Sequence, residues 1–319
     1  MHIYLLTGFV LAIISAATFG ASGALAKGLL VAGWSPAAAV TGRVAIGALL
    51  LLPAALHSLR GRWYLLHKGW LSILLFGVTG VAVCQLAYFL AVQRLSVGVA
   101  LLLEYCAIIL IVAWIWLRHR QRPRLPTLIG TALALAGLVL ILDLFGTLTV
   151  DPLGVMWGLI AAIGLATYFI VSAEASHAMP PLVLAAGGLL VGTLLILAAG
   201  VAGMVDLNWN THRVVLAGVE VHWWLDVLAL GIVAAAIAYL TGIIATRRLG
   251  TRMASFLGLS EVLFAVLWAW LLLAEMPRPI QLLGGVLILT GIAVVRLDRT
   301  PTVGADTDAA GALEKRGKP

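Results

Sequence analysis

The chain has 319 residues, of which 63% are hydrophobic and 10% are charged, and its formal net charge is +7. Its mean hydropathy is +1.11, whereas a soluble globular domain carries roughly 25% charged residues. No water-soluble core could bury this much apolar side chain, so the composition excludes a soluble domain and indicates an integral membrane protein.

Apolar segments of about 20 residues recur along the chain, and each is long enough to cross a hydrocarbon layer about 30 Å thick. Without water to satisfy backbone groups, these segments are predicted to be helices. Proline marks several breaks between them, because it ends a helix or starts one at its first turn. The ten predicted spans are 5–26, 36–56, 69–92, 97–117, 125–143, 153–174, 180–204, 224–246, 251–272 and 279–296.

The basic residues predict the orientation. Ten spans place both termini on one side of the membrane, and most of the 20 Lys and Arg residues fall on that side. By the positive-inside rule this side is the cytoplasm, so we expect both termini of a cytoplasmic-membrane protein to be inside. The charge excess therefore reports topology rather than nucleic-acid binding. The cations expected inside are Arg60, Arg62, Lys68, Arg118, Arg120, Arg122, Arg124, Arg247, Arg248, Arg252, Arg296, Arg299, Lys315, Arg316 and Lys318.

The chain carries a long internal repeat. Residues 91–137 return as residues 245–291 at a constant spacing of 154, so that AVQRL recurs as ATRRL and the glycines of GTALALAG recur in GGVLILTG. Five spans separate the copies, so the second copy must enter the membrane from the opposite side. The loop RHRQRPR accordingly loses most of its cations in its partner AEMPRP. An inverted repeat of this kind is typical of alternating-access transporters.

The predicted fold class is therefore an all-α integral membrane protein with ten transmembrane helices arranged as two inverted five-helix repeats. We expect the first repeat to cover residues 1–147 and the second to cover residues 148–299. Residues 300–319 are polar, rich in small residues and without periodicity, which predicts a disordered cytoplasmic tail.

Several segments resemble the EamA-type family of the drug/metabolite transporter superfamily. The likeness rests on Lys27 at a helix end, on the arginine of TGRVAIGALLLLP, on the glutamates of LLLEYCAIIL and LGLSEVLFAVLWAWLLLAE, and on the two glycine-rich helices. It covers residues 8–145 and 154–296, and it implies a ten-helix secondary transporter, usually an exporter of amino acids or other small metabolites. Family members often carry proline after the second-half glutamate, whereas Val262 stands there in this chain, so a kink at that point is not predicted.

Three ionisable residues lie well inside the predicted spans, where each costs at least about 2.5 to 3.5 kcal/mol and is a functional candidate by default. Arg43 and Glu104 are each seven residues into their spans from the outside, at a depth that allows pairing. The pair would either pin two helices together or contact substrate. Glu261 lies ten residues into span nine, and no matching cation occurs in its half of the chain.

An unpaired carboxyl in a low dielectric is expected to stay protonated until a polar group reaches it. Glu261 is therefore the first candidate for proton coupling or substrate contact, and the alternative is a protonated acid hydrogen-bonded to a neighbouring helix. Hydrogen-bonding side chains at similar depths predict that spans three, four, eight and nine line one mostly apolar cavity. Tyr168 in span six is a weaker candidate. The additional predicted site residues are Gln85, Tyr88, Tyr105, Tyr239 and Ser260.

No catalytic, cofactor or metal motif is recognisable: GxSxG, HExxH, paired aspartates and a phosphate-cradling glycine loop are all missing from the sequence. Cys84 and Cys106 both fall inside spans and are predicted to be small buried hydrophobes rather than disulfide or metal partners. We therefore expect no enzyme, no cofactor and no metal site.

The predicted function is that of a secondary active transporter. It would export a small polar or amphipathic metabolite, such as an amino acid, by alternating access, driven by protons or by the substrate's own gradient. An intramembrane lipid-handling protein and a non-transporting scaffold are the alternatives. The expected partners are the substrate, protons and the lipid bilayer, without nucleic acid, and the glycine-rich helices predict contacts either within one chain or in a homodimer.

Overall fold

The computed structural model describes residues 2–92, 94–95, 97–120, 122–141, 151–175, 179–216, 218–274 and 276–296. The predicted repeat boundary at 147 and the predicted tail at 300–319 lie outside these residues. The described part is almost entirely helical. Its helices are α1 (His2–Val31), α2 (Pro36–Ser58), α3 (Tyr64–Leu75), α4 (Cys84–Val92), α5 (Val97–Tyr105), α6 (Ala107–His119), α7 (Leu125–Ile141), α8 (Pro152–Glu174), α9 (Pro181–Val201), α10 (Trp223–Gly231), α11 (Ala238–Gly258), α12 (Ser260–Leu273) and α13 (Pro279–Arg296).

Eight helices in the described part of the chain are long and apolar enough to cross a membrane. Two further apolar helices, α7 and α12, are shorter. The predicted break between spans eight and nine falls at Gly250, where the backbone leaves the helical conformation, so α11 consists of two helical segments joined at a kink, and the second segment begins predicted span nine. Gly250 bends the helix with φ 78°, a backbone conformation that glycine adopts without a Cβ clash. The eight long segments are Ile3–Val31, Pro36–Ser58, Tyr64–Ala91, Val99–Arg118, Pro152–Glu174, Pro181–Val201, Trp223–Gly258 and Pro279–Arg296.

Irregular backbone features recur at the spacing of the sequence repeat. Two π-helical segments, Phe76–Val83 and Ile232–Ile237, precede α4 and α11, and their last residues are 154 apart. Arg120 and Ala274, also 154 apart, end α6 and α12 in the left-handed conformation with φ 53° and 57°. These two are the non-glycine residues with positive φ among those described. The repeat is therefore visible in backbone geometry as well as in residue identity.

The glycines of the repeat meet each other where α7 crosses α13. A Cβ placed on Gly137 would lie 2.5 Å from the carbonyl oxygen of Gly284, and one placed on Gly130 would lie 2.7 Å from that of Gly291. The reverse contacts have the same two distances. Because only glycine allows two helix backbones to approach this closely, the repeated glycines form a helix contact within one chain.

Contacts between loops group the helix ends into two sets. At one end, which we call the hairpin end, the Ser35 amide donates to the Asn208 carbonyl oxygen at 2.8 Å, and Arg94 pairs with Asp151 at 3.1 Å. At the opposite end, Arg247 donates to the Met179 carbonyl oxygen at 2.6 Å. These contacts join the loops that the alternating topology assigns to the same side.

Asp151 also caps α8, because its Oδ1 accepts a hydrogen bond from the Leu153 amide at 2.8 Å. The Arg94 guanidinium, helped by that amide, holds the pKa of the Asp151 carboxyl below its usual range. Both side chains of the Arg94–Asp151 pair are partly exposed, so solvent screening keeps the contribution of this pair to stability small.

A short β-hairpin lies in the segment between α9 and α10, which the sequence predicts only as a break between spans. Its strands, β1 (Val214–Leu216) and β2 (Val219–Val221), pair in antiparallel register with Val214 opposite Val221. Val214 is 1% exposed and packs with Leu29 and Val227 in a cluster of buried apolar residues at the hairpin end. Three-residue strands are too short for their alternation to be recognised in a sequence.

Candidate functional site

A cavity of about 90 Å³ lies between the helices, beside the middle of α1. Residues of α1, α4, α5, α8, α11 and α12 line it, together with one residue of the first π-helical segment. Most of the lining is apolar or aromatic. Its polar members are Ser15, Cys84, Gln85, Glu104, Tyr105, Tyr168, Tyr239, Thr246 and Glu261.

Five of the eight predicted site residues line this cavity. They come from predicted spans three, four, eight and nine, and the structure brings these four spans together and adds α1 and α8. Arg43, Tyr88 and Ser260 are not among the lining residues. The five that line it are Gln85, Glu104, Tyr105, Tyr239 and Glu261.

The two cavity carboxyl groups differ in their immediate neighbours. Glu104 accepts a hydrogen bond from the Cys84 thiol, with 3.3 Å between Sγ and Oε1. Glu261 lies beside the Tyr105 hydroxyl, which interacts with its carboxyl. A thiol is a weak donor, so Glu104 in particular is left open to a stronger donor from a bound molecule.

Arg43 lies behind the cavity wall on α2. It is 6% exposed, and its Nε and Nη2 atoms have no hydrogen-bond partner. Among the ion pairs of the described residues, none joins Arg43 to Glu104, so the direct pairing that the sequence allowed is not formed. The guanidinium is nevertheless close enough to interact electrostatically with Glu104, Glu261 and Tyr239.

Ser260 lies at the junction of α11 and α12 rather than in the cavity lining. Its hydroxyl donates to the Leu257 carbonyl oxygen at 2.5 Å, and the Val262 amide donates to the Leu259 carbonyl oxygen at 3.1 Å. Leu259, between α11 and α12, keeps helical dihedral angles of φ −58° and ψ −24°. The hydrogen-bond pattern therefore tightens immediately before the second-half glutamate while the chain stays helical.

Tyr88 also lies outside the cavity lining, with its ring centroid 5.7 Å from that of Phe89. It stays near enough to Glu104 and Glu261 to interact with both carboxyl groups electrostatically. Its predicted contact with substrate remains a prediction.

Cys84 is a site residue that the sequence did not indicate. It is 2% exposed, as predicted for a small buried hydrophobe, but its thiol contacts Glu104 and lies 3.6 Å from the Ala161 carbonyl oxygen. The available signal was its position next to Gln85, at the same depth in span three. A cysteine at such a depth packs as an apolar residue in most proteins, so this signal is weak.

An aromatic wall closes one side of the cavity, and Tyr168 lies at its centre. The Tyr168 ring centroid is 5.0 Å from that of Phe169, 5.4 Å from that of Phe76 and 5.8 Å from that of Tyr239. Phe19 approaches Tyr239 at 4.9 Å. Edge-to-face contacts of this kind make a rigid apolar surface, and they give Tyr168 a more central place than the sequence predicted.

The packing of α1 against α12 supports the position of Glu261. A Cβ on Gly20 would lie 2.7 Å from the Glu261 carbonyl oxygen and 2.9 Å from the Ala265 amide nitrogen. The absence of a side chain at Gly20 therefore lets α1 approach the backbone that carries the second carboxyl group.

The composition of the cavity suits a small organic molecule better than a metal ion. Within the described residues, no group of three or more His, Cys, Asp or Glu side chains is arranged to hold a metal. Two carboxyl groups, an amide and several phenols beside an aromatic wall offer orienting hydrogen bonds on an apolar surface, which is the usual composition of a small-molecule site.

Sequence comparison identifies the family. The family model described as the EamA-like transporter family matches residues 6–143 and residues 152–297. The chain belongs to the EamA-like transporter family. It is therefore a membrane protein of a transporter family, and the family model matches it twice, once in each half.

Curated relatives of this EamA-like protein are also named as transporters. An uncharacterized inner membrane transporter of Salmonella typhimurium, YicL, is 29% identical over 104 residues, or 32% of this chain and 35% of that protein. An uncharacterized transporter of Archaeoglobus fulgidus is 27% identical over 65% of this chain and 70% of its own. The uncharacterized transporter YwfM of Bacillus subtilis is 27% identical over 79% of this chain and 83% of its own.

A solved protein crystal structure shares the fold. It is 24% identical to this chain, covers 93% of it and 97% of its own chain, and superposes with a TM-score of 0.73.

Proposed function

We propose that this EamA-like protein is a secondary active transporter that exports a small polar or amphipathic metabolite, such as an amino acid, across the cytoplasmic membrane. The observation that carries the proposal is the cavity between the helices, where one carboxyl group from each half of the chain faces a shared space beside an aromatic wall. Such a space is too small and too apolar for a pore, and it suits one bound molecule at a time.

Alternating access follows from the proposed architecture of two inverted five-helix repeats, residues 1–147 and 148–299. The recurrence of π-helical segments and left-handed helix ends at a spacing of 154 supports this arrangement. The short helix α7, with 17 residues, is about 26 Å long and nearly spans the hydrocarbon layer. Two mirrored halves around one site can rock so that the cavity opens first to one side and then to the other.

Glu104 and Glu261 are the proposed coupling groups. A carboxylate without a direct ion-pair partner is costly in a water-poor cavity, so each group favours either a proton or a hydrogen-bond donor supplied by the substrate. Competition between proton and substrate at the same carboxyl would link export to the proton gradient. Arg43, which lies behind the cavity wall, stabilises the ionised form of either carboxyl group.

The decisive experiment is transport by the purified full chain in sealed vesicles, screened against a library of small metabolites with and without an imposed pH gradient. We expect at least one metabolite to move across the membrane and its accumulation ratio to change with the gradient. An accumulation ratio that does not change with the pH gradient would refute proton coupling but not the transporter assignment. If none of the library molecules moved, while a known transporter in matched vesicles was active, the transporter assignment of the cavity would be refuted.

Cysteine labelling tests the proposed orientation. In a Cys106→Ala background we expect a membrane-impermeant thiol reagent to label Val31→Cys and Val219→Cys from outside intact cells, because both positions are at the hairpin end and are 81% and 63% exposed. Trp63→Cys, at the opposite end and 54% exposed in the native residue, should react only after the membrane is opened. Labelling of Val31→Cys and Trp63→Cys from one side would contradict the topology.

A further inference from the structure

A buried acid that the proposed cavity does not use lies at the hairpin end. Asp226, in the first turn of α10, is 0% exposed, and both of its carboxylate oxygens lack a hydrogen-bond partner. An ionised carboxylate with no donor and no counter-charge is strongly disfavoured in such a place. The carboxyl group is therefore neutral in this conformation of the protein.

The oxygen atoms around Asp226 also favour the protonated form of its carboxyl group. A Cβ placed on Gly28 would lie 2.9 Å from the Val215 carbonyl oxygen and 3.1 Å from Asp226 Oδ2, so the two oxygens converge on one small space beside α1. A carbonyl oxygen can only accept a hydrogen bond, and a carboxyl can donate one only when it carries a proton. Two oxygens are too few to hold a Na⁺, Ca²⁺ or Mg²⁺ ion, since such cations take about six oxygen ligands.

The charged groups of the hairpin itself lie in solvent rather than against Asp226. The basic and acidic groups of the hairpin, Arg213 and Glu220, are 63% and 70% exposed and lie 4.0 Å from each other. The titratable residues on the elements packed against Asp226 are Lys27 on α1, Arg43 on α2, and Arg213, Glu220 and His222 on and beside the hairpin.

The segment that covers Asp226 is held by a few neutral hydrogen bonds and by the burial of Val214 in the apolar cluster of the hairpin end. Trp34 Nε1 donates to the Asn210 carbonyl oxygen at 2.7 Å, and Ser35 Oγ donates to the Asp206 carbonyl oxygen at 2.6 Å. Water can replace such bonds at small net cost, because each contributes only about 0.5 to 1.5 kcal/mol. Lifting the hairpin away from α1 therefore requires that these bonds break and that Val214 becomes exposed.

We propose that Asp226 is a second proton-binding site, which holds a proton while the hairpin is closed over α1 and releases it to water when the hairpin lifts. The inference rests on the proposed transport cycle only in requiring that the hairpin end opens. An exposed aspartate is ionised at neutral pH. Opening therefore releases one proton, so high pH favours the open form and the open-to-closed ratio rises by up to tenfold per pH unit.

Pulsed spin-label distances test this proposal on the full chain in lipid nanodiscs, without any substrate. Labels at Val31→Cys and Val219→Cys, in the Cys106→Ala background, report the gap between α1 and the hairpin. We expect the long-distance population to grow by up to tenfold per unit of rising pH. Asp226→Asn should stay in the short-distance form at every pH, whereas the control Glu220→Gln, which alters an exposed acid of the same hairpin, should behave like the parent protein.

Infrared difference spectroscopy gives a second measurement that does not depend on the labels. The carbonyl stretch of a protonated carboxyl should disappear as the hairpin opens with rising pH, and this change should be missing from Asp226→Asn. Distances that ignore pH in the parent protein, or that still follow pH in a folded Asp226→Asn variant, would overturn the proposal. These results can be separated from the transporter assignment. Transport can fail while the distances still depend on pH, and transport can succeed while the distances do not depend on pH.

Discussion

Glu261→Gln is expected to lower the transport rate by about tenfold or more, because a hydrogen bond to a charged group contributes about 1.5 to 3 kcal/mol and the amide cannot exchange a proton. Glutamine has nearly the same shape, so the variant keeps the packing against Tyr105 while it loses the titratable group. The rate is measured in sealed vesicles with the metabolite identified by the screen, with and without a pH gradient.

The matched control for Glu261→Gln is Glu220→Gln. Glu220 is an exposed acid on the hairpin and is not among the residues that line the cavity. We expect this control to transport at the parent rate and to respond to the gradient. Glu104→Gln should also be impaired, and a double variant that is no worse than the single variants would indicate that the two carboxyl groups act as one unit. Parent-like transport by both single variants would rule out the assigned site.

Gly284→Ala is expected to destabilise the folded protein by about 1 to 3 kcal/mol, the usual cost of overpacking a tight contact. Its new Cβ would lie 2.5 Å from the Gly137 carbonyl oxygen and 2.8 Å from the Ile141 side chain, and neither the backbone nor the opposing helix can move without opening the crossing. The reciprocal change Gly137→Ala should have a similar effect. Thermal unfolding in one detergent, followed by circular dichroism, measures the difference.

The adjacent glycine supplies the control for this second prediction. A Cβ on Gly285 would meet only the flexible end of the Leu263 side chain, at 3.2 Å. Alanine has the higher helix propensity, by about 1 kcal/mol, so Gly285→Ala should be neutral or slightly stabilising. Equal melting temperatures for the Gly284 and Gly285 variants would show that the glycine crossing does not hold α7 and α13 together.

The helical fold was largely predictable because the length of an apolar segment is a local property of the chain. Predicted span ten coincides with α13 at Pro279–Arg296, and predicted span two differs from α2 only at its carboxyl end. The geometry of the break at Gly250 was not predictable in the same way. A glycine flanked by Leu249 and Thr251 is compatible with a loop or with a kinked helix, and only its neighbours in space decide between them.

The candidate site was likewise predictable in part, in the depth of its residues but not in the direction of their side chains. Depth along a span can be counted in residues, and counting alone brought Glu261 and Tyr239 to one level. The direction of a side chain around its helix depends on which helices pack beside it, so counting could not separate Gln85, which faces the cavity, from Ser260, which does not.

Residue order alone predicts a helical membrane protein, a repeat with a spacing of 154 residues, and a few ionisable groups within the spans. These properties depend on the length of apolar segments and on residue identity, which are local along the chain. The packing of the helices reveals that the repeated glycines meet within one chain, that the Cys84 thiol contacts Glu104, and that Asp226 is buried beside the hairpin. Each of these is a contact between segments far apart in the chain, and its energy depends on distances that no linear pattern specifies.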